Sequence, residues 1–173
     1  MAKLTAKGRA TRAGGREQKL YTLDVSIIGG PMTESFLKKN KVVSRTIQIR
    51  GDQTLAELHS AIFEAFDREE EHMYEFQVGG EGPMDPRARR YALPLGMHGE
   101  DKPAGDVKHT AIGSLGLHAA DVFGYWFDFG DDWWHQINVV AIEESAARGK
   151  FPKVTKRVGK SPPQYADWDE EEE

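Results

Sequence analysis

Hydrophobic and polar residues alternate in five stretches of this chain, and each alternation predicts a β-strand. Side chains of a strand point alternately to its two faces, so one face of each stretch is suited to a protein core. The β-branched and aromatic residues that fill these stretches favour the same structure. The predicted strands are Leu20–Ile28, Lys41–Arg50, His72–Val78, Val122–Phe129 and Trp133–Ile142.

One stretch has helical spacing instead. Leu55, Leu58 and Ile62 fall on one face between Thr54 and Phe66, and this spacing predicts an amphipathic helix. Thr54 followed three residues later by Glu57 forms a capping box, which marks where the helix begins.

The order of these elements predicts an α+β fold, with a mixed β-sheet, one main covering helix and a β-grasp-like ββαβ…ββ order. A single helix covers only one face of such a sheet. Residues Glu81–Lys108, between the third and fourth predicted strands, are rich in glycine, proline and charge. This long excursion is predicted to be irregular.

Charge divides the chain into three parts. Residues 20–150 are predicted to form a single α+β domain, residues 1–19 a basic flexible arm, and residues 151–173 a proline-containing acidic tail. Nucleic acid is a possible partner of the arm, although a flexible arm without a partner is favoured, because the chain as a whole carries a net charge of −5. The basic residues concerned are Lys3, Lys7, Arg9, Arg12 and Arg16.

The composition limits the cellular compartments and the kinds of chemical site that this chain is expected to have. No apolar run is long enough to span a membrane, and residues 1–19 lack the apolar region of a secretory signal. The chain has no cysteine, which excludes disulfides and thiolate-ligated metals. The simplest interpretation is a cytoplasmic protein without a membrane partner.

The candidate chemistry centres on Tyr125–His135, where six aromatic residues, three aspartates and a histidine are close in sequence. Gly130-Asp131-Asp132 is typical of a turn, so this segment predicts a hairpin. Histidines of the helix and of the third strand border the apolar faces of those elements. The predicted binding or structural cluster consists of His59, His72, Asp128, Asp131, Trp133 and His135.

Two interpretations of this cluster are open. Imidazole and carboxylate groups suit zinc or another divalent ion, with His59, His72, Asp128 and His135 as ligands. Alternatively, the histidines stabilise packing by hydrogen bonds, which is the commoner role of buried imidazoles and is favoured here. No His-x-x-x-His or His-Glu-x-x-His motif is present, and no cofactor is identified.

The register of the hairpin decides which side chains meet. An even number of turn residues places Trp126 and Asp128 on the face of Trp133 and His135, within pairing distance. A three-residue turn with a bulge places them on opposite faces.

Several of these segments resemble motifs of the plasmid pRiA4b ORF-3-like family. The matching segments are Leu55–His59, Ala65-Phe66, Glu71–Phe76, Tyr125–His135, Phe151-Pro152 and Ser161–Tyr165. The resemblance implies a protein of uncharacterised function that is associated with plasmids and mobile elements. It also implies that certain residues belong to the family's motifs, namely His59, His72, Asp128, Gly130, Asp131, Trp133 and His135.

The favoured prediction is therefore a non-catalytic binding or accessory module. One alternative is a metal-dependent, hydrolase-like enzyme that uses the histidine and aspartate cluster. A second alternative is a nucleic-acid-associated protein of mobile elements.

Overall fold

A computed structural model describes residues 19–94, 102–145 and 148–169. These residues form one eight-stranded sheet and two α-helices. The helices are α1 (Glu34–Lys39) and α2 (Leu55–Ala65). The strands are β1 (Leu20–Gly29), β2 (Ser44–Arg50), β3 (Tyr74–Val78), β4 (Arg89–Ala92), β5 (Gly105–Asp106), β6 (Val122–Phe127), β7 (Trp133–Glu143) and β8 (Lys153–Val158).

The strands lie in the order β5-β4-β3-β6-β7-β1-β2-β8. Neighbouring strands are antiparallel, except that β4 and β5 are parallel, so the sheet is mixed. The predicted α+β class is confirmed. The β-grasp-like order and the role of one covering helix stay predictions.

The sequence determines the start of α2 as predicted. The Thr54 hydroxyl accepts from the backbone N–H of Glu57, and the Glu57 carboxylate accepts from the backbone N–H of Thr54. The buried side of the helix contributes Leu55, Leu58 and Ile62 to the core. Burial of each such side chain stabilises the fold by roughly 1.5–3 kcal/mol.

The two faces of the sheet differ in chemistry. We call the face whose side chains share the core with α2 the inner face; it carries residues such as Leu23, Val25 and Ile137. The opposite, outer face carries half-buried polar residues, for example Asp24 and Gln136. Period-two alternation along each strand therefore separates an apolar core from a polar face.

The excursion Glu81–Lys108 was predicted to be irregular, and this prediction is wrong for part of it. The segment contains β4, which pairs with β3, and the two-residue β5. The strand was missed because Arg89-Arg90 opens it with charge rather than with an apolar alternation.

Lys153–Val158 falls in the segment assigned by sequence to the acidic tail, and it forms β8 at the sheet edge beside β2. Its lysines and arginine suit an edge strand, where charge discourages pairing with other chains. The basic arm's Lys3, Lys7, Arg9, Arg12 and Arg16 lie outside the described residues. Within the described ranges, no helix is both long and apolar enough to cross a membrane.

Candidate functional site

The β6–β7 hairpin has an odd turn. Phe127 pairs with Trp133 and Trp126 with Trp134, which leaves the five residues Asp128–Asp132 between the strands. Trp126 therefore lies on the face opposite to Trp133 and His135. The alternative with an even turn, which would pair Asp128 with His135, does not form. Asp128 and Asp132 both have positive φ, at 62° and 58°, and these conformations close the turn.

His59 is held inside the fold by two polar partners. Its Nδ1 lies 2.6 Å from the Tyr125 hydroxyl, and its Nε2 lies 2.9 Å from a Glu71 oxygen. The ring stacks on Tyr74 with 3.7 Å between centroids. Burial lowers the pKa of His59, although Glu71 acts in the opposite direction. A neutral ring then donates from Nε2 to Glu71 and accepts at Nδ1 from Tyr125.

His135 is fully buried beside an arginine. Arg68 donates from Nη2 to His135 Nε2 over 2.7 Å, and His135 Nδ1 donates to the Tyr125 carbonyl over 3.2 Å. Burial, with the added charge of Arg68, lowers the pKa of His135 well below its usual value. The imidazole is therefore neutral at pH 7. Both ring nitrogens of His135 have protein partners, so neither is available to bind a metal ion or a ligand, and the ring instead positions Arg68.

Arg68 is a buried cation surrounded by aromatic rings. Its guanidinium carbon lies 4.9 to 5.3 Å from the ring centroids of Phe66, Phe127 and Trp133. These cation–π contacts partly replace the lost hydration. Burial lowers the pKa of Arg68 to about 10, so the group stays protonated at pH 7. Arg68 Nη1 and Trp133 Nε1 are buried without a hydrogen-bond partner in the described structure.

Two further predicted site residues meet at the end of the hairpin, where His72 is partly exposed and Asp128 is buried. Asp128 Oδ2 is 3.4 Å from His72 Nε2, and Asp128 Oδ1 accepts from the backbone N–H groups of Gly130 and Asp131. His72 also lies 2.9 Å from the Tyr165 hydroxyl. Asp128 thus serves as the cap of the hairpin turn while it pairs with His72.

The structure therefore divides the predicted cluster into three places. His59 and His135 both contact Tyr125, while His72 and the buried Asp128 form a separate pair. Within residues 19–94, 102–145 and 148–169, no group of three or more histidine or acidic side chains is arranged to hold a metal ion. The four-ligand metal site stays a prediction, and this arrangement does not favour it.

Sequence reasoning did not select Tyr125, Glu71 or Arg68, although these residues contact the predicted histidines. Tyr125 lies in the conspicuous aromatic segment, ten residues before His135. Arg68 and Glu71 belong to a run of charged residues after α2, which is typical of a solvated link. No pattern in the chain marks Arg68 as buried.

A short C-terminal segment holds the link after α2 in place. The Gln164 amide donates to the Glu70 carbonyl and accepts from the backbone N–H groups of Glu69 and Glu70 over 2.8 and 2.9 Å. The Tyr165 hydroxyl donates to Glu70 over 2.7 Å, and this bond with a carboxylate raises the pKa of Tyr165 to about 12. These contacts position the chain on which Arg68 and His72 lie.

A second group of aromatic side chains lies on the outer face. Trp126 and Trp134 stack with 4.9 Å between centroids and 4° between planes, and Phe129 lies 4.1 Å from Trp126. Trp126 Nε1 donates to Asp132 over 2.9 Å. Both tryptophans are half-buried, and Phe129 is 41% exposed. We call Trp126, Trp134 and Phe129 the aromatic row.

Comparison with solved structures shows a shared fold. The chain is similar to a crystal structure of a protein of unknown function, MM3350 from Methanosarcina mazei Go1, with a TM-score of 0.61 and 23% identity over 81% of this chain and 70% of that one. No curated protein matches the chain. The family model described as plasmid pRiA4b ORF-3-like protein matches residues 35–167, and it includes α2, the hairpin and the segment that carries Gln164. The chain belongs to the plasmid pRiA4b ORF-3-like family.

Proposed function

We propose that this protein is a non-catalytic binding module and that the aromatic row forms its binding surface. The observation that carries the proposal is the position of this row. Two stacked tryptophans and a phenylalanine stand on the sheet face away from α2, where they are only partly buried. Exposed aromatic groups with a polar surround are typical of binding sites.

In contrast to the aromatic row, the interior histidines His59 and His135 are suited to a structural role. Each ring nitrogen of His59 and His135 already has a protein partner between 2.6 and 3.2 Å away. Burial lowers the pKa of both rings, so both imidazoles are neutral at pH 7. These groups are suited to fixing the sheet and α2 in a single arrangement, which in turn holds the aromatic row rigid.

The test is a binding screen with a variant of the row. A panel of ring-containing ligands (neutral oligosaccharides, nucleotides and aromatic peptides) is titrated into the protein. Binding is measured by the change in tryptophan fluorescence and by isothermal titration calorimetry. We expect at least one ligand to bind, and to bind at least about fivefold more weakly to Trp134→Ala, since one stacking contact contributes roughly 1–3 kcal/mol.

The matched control is Val140→Ala. Val140 lies on the same strand and is 57% exposed, but it stands away from the aromatic row. Its truncation should leave binding unchanged. If no ligand of the panel responds to Trp134→Ala, the proposal is wrong.

A further inference from the structure

The outer face carries a glycine directly beside the aromatic row. The register places Trp126 opposite Trp134, and Trp134 opposite Gly29 of β1. Trp126 stacks on Trp134 from one side. On the other side the residue in register is a glycine, which places no side chain beside the Trp134 ring. Ile28, 49% exposed, is the extra residue of the bulge between Ile27 and Gly29. A Cβ built on Gly29 would lie 3.8 Å from Trp134 Cβ, which is ordinary contact.

The neighbouring positions of the outer face offer hydrogen bonds without positive charge. Ser26 pairs in register with Gln136, and Asp24 pairs with Asn138. Gln136 donates from Nε2 to Asn138 Oδ1 over 3.1 Å. This bond leaves the Gln136 oxygen and the Asn138 amino group with capacity for further partners. A ligand that stacks on Trp134 would therefore meet a hydroxyl, two amides and a carboxylate.

Charge around the row favours a neutral ligand. Asp132 accepts from Trp126 Nε1, Asp131 lies in the same turn, and Glu75 pairs with Trp126 from β3. Arg90, a cation near this end, lies 3.5 Å from the Glu75 carboxylate. A phosphate-bearing ligand would be repelled by these carboxylates. A ligand with an apolar ring face and many hydroxyl groups would satisfy both the tryptophan and the polar neighbours.

We propose that the position between Trp134 and Gly29 binds a sugar ring of a neutral oligosaccharide. The inference rests on the proposed function and deepens it by naming the ligand class. The C–H face of a pyranose stacks on the face of Trp134 that Trp126 does not cover, and its hydroxyl groups bond to Gln136, Asn138 and Ser26. Because the row is fixed by stacking, the ring finds a preformed surface.

Gly29→Val tests this position without altering Trp134. The backbone of Gly29 has no left-handed φ, and the added Cβ meets only ordinary contact, so the variant should fold. Its side chain would fill the space where the sugar stacks. The probes are cellotetraose, maltotetraose and chitotetraose, with adenosine monophosphate as the charged comparison, measured by isothermal titration calorimetry on the full chain. Circular dichroism and thermal melts establish that each variant is folded.

We expect at least one tetrasaccharide to bind, and to bind at least about fivefold more weakly to both Gly29→Val and Trp134→Ala, with Val140→Ala unchanged. Sugar binding that is insensitive to Gly29→Val would overturn the assigned position, and Trp134→Ala answers the same question if Gly29→Val does not fold. If only adenosine monophosphate binds in a Trp134-dependent way, the carbohydrate class is wrong while the binding-module proposal stands. If nothing responds to Trp134→Ala, both fail.

Discussion

Tyr125→Phe should destabilise the fold through a single oxygen atom. The Tyr125 hydroxyl lies 2.6 Å from His59 Nδ1, inside a core where Tyr125 is fully buried and His59 is 4% exposed. Burial raises the pKa of Tyr125 well above its usual value, so the hydroxyl keeps its proton and donates. In the variant, Nδ1 becomes a buried acceptor without a donor.

The expected loss is about 1–3 kcal/mol of unfolding free energy, the usual cost of leaving one buried polar group unpaired. The ring itself is retained, so no large cavity adds to this cost. Rotation of the imidazole would not restore the bond, because Nε2 already faces Glu71 at 2.9 Å. Since a domain of this size has a total stability of about 5–15 kcal/mol, the loss is measurable.

Tyr165→Phe is the matched control. It removes the same atom from a tyrosine that is half exposed, where water replaces the lost partners Glu70 and His72. Urea unfolding at 25 °C, with free energy extrapolated to water, compares the two variants and the parent chain. If Tyr125→Phe is no less stable than Tyr165→Phe, the assignment of His59 as a hydrogen-bonded structural residue is refuted.

Three further predictions concern stability. Folding lowers the pKa of His135, so below about pH 6.5 the unfolded chain binds a proton that the folded chain does not. The free energy of unfolding should therefore fall as the pH drops below about 6.5, by up to about 1.4 kcal/mol per pH unit from this group. Urea titrations at pH 5.5 and 7 check this. Gly30→Ala should cost more than about 2 kcal/mol in thermal melts, because φ is 151° and the new Cβ would overlap the Trp133 ring, whereas Gly29→Ala should be nearly neutral. Gln164→Ala should cost roughly 1–3 kcal/mol by urea unfolding, since three hydrogen bonds to the main chain are lost; equality with the parent would contradict that role.

The parts of the fold that the sequence predicted are those with strong periodicity. The capping box at Thr54 and the alternation in β1, β6 and β7 each reflect burial on one face, which a pattern of residues records directly. The helix α1 has only six residues, and β8 is mostly charged. Their formation depends on contacts with distant segments, and no local pattern records such contacts.

The sequence indicated which residues belong to the candidate site, but not how they are arranged. The aromatic segment contained the right residues, but their division between the inner and outer faces depended on the turn length. That length follows from Asp128 and Asp132 in left-handed conformations, which aspartate adopts only occasionally. The buried position of Arg68 depends on Phe127 and Trp133 meeting it from another part of the chain.

The place of β8 at the edge of the sheet has a consequence for synthesis on the ribosome. β2 is synthesised early, but the edge of β2 that faces away from β1 pairs only with β8. β8 is synthesised after α2 and all the strands from β3 to β7. Arg45 of β2 likewise gains its contact with the Val158 carbonyl only then. At roughly 5–20 residues per second, the nascent chain carries an open strand edge for several seconds. We therefore expect ribosome-bound chains that stop before β8 to depend on chaperones, and released full-length chains to become independent of them.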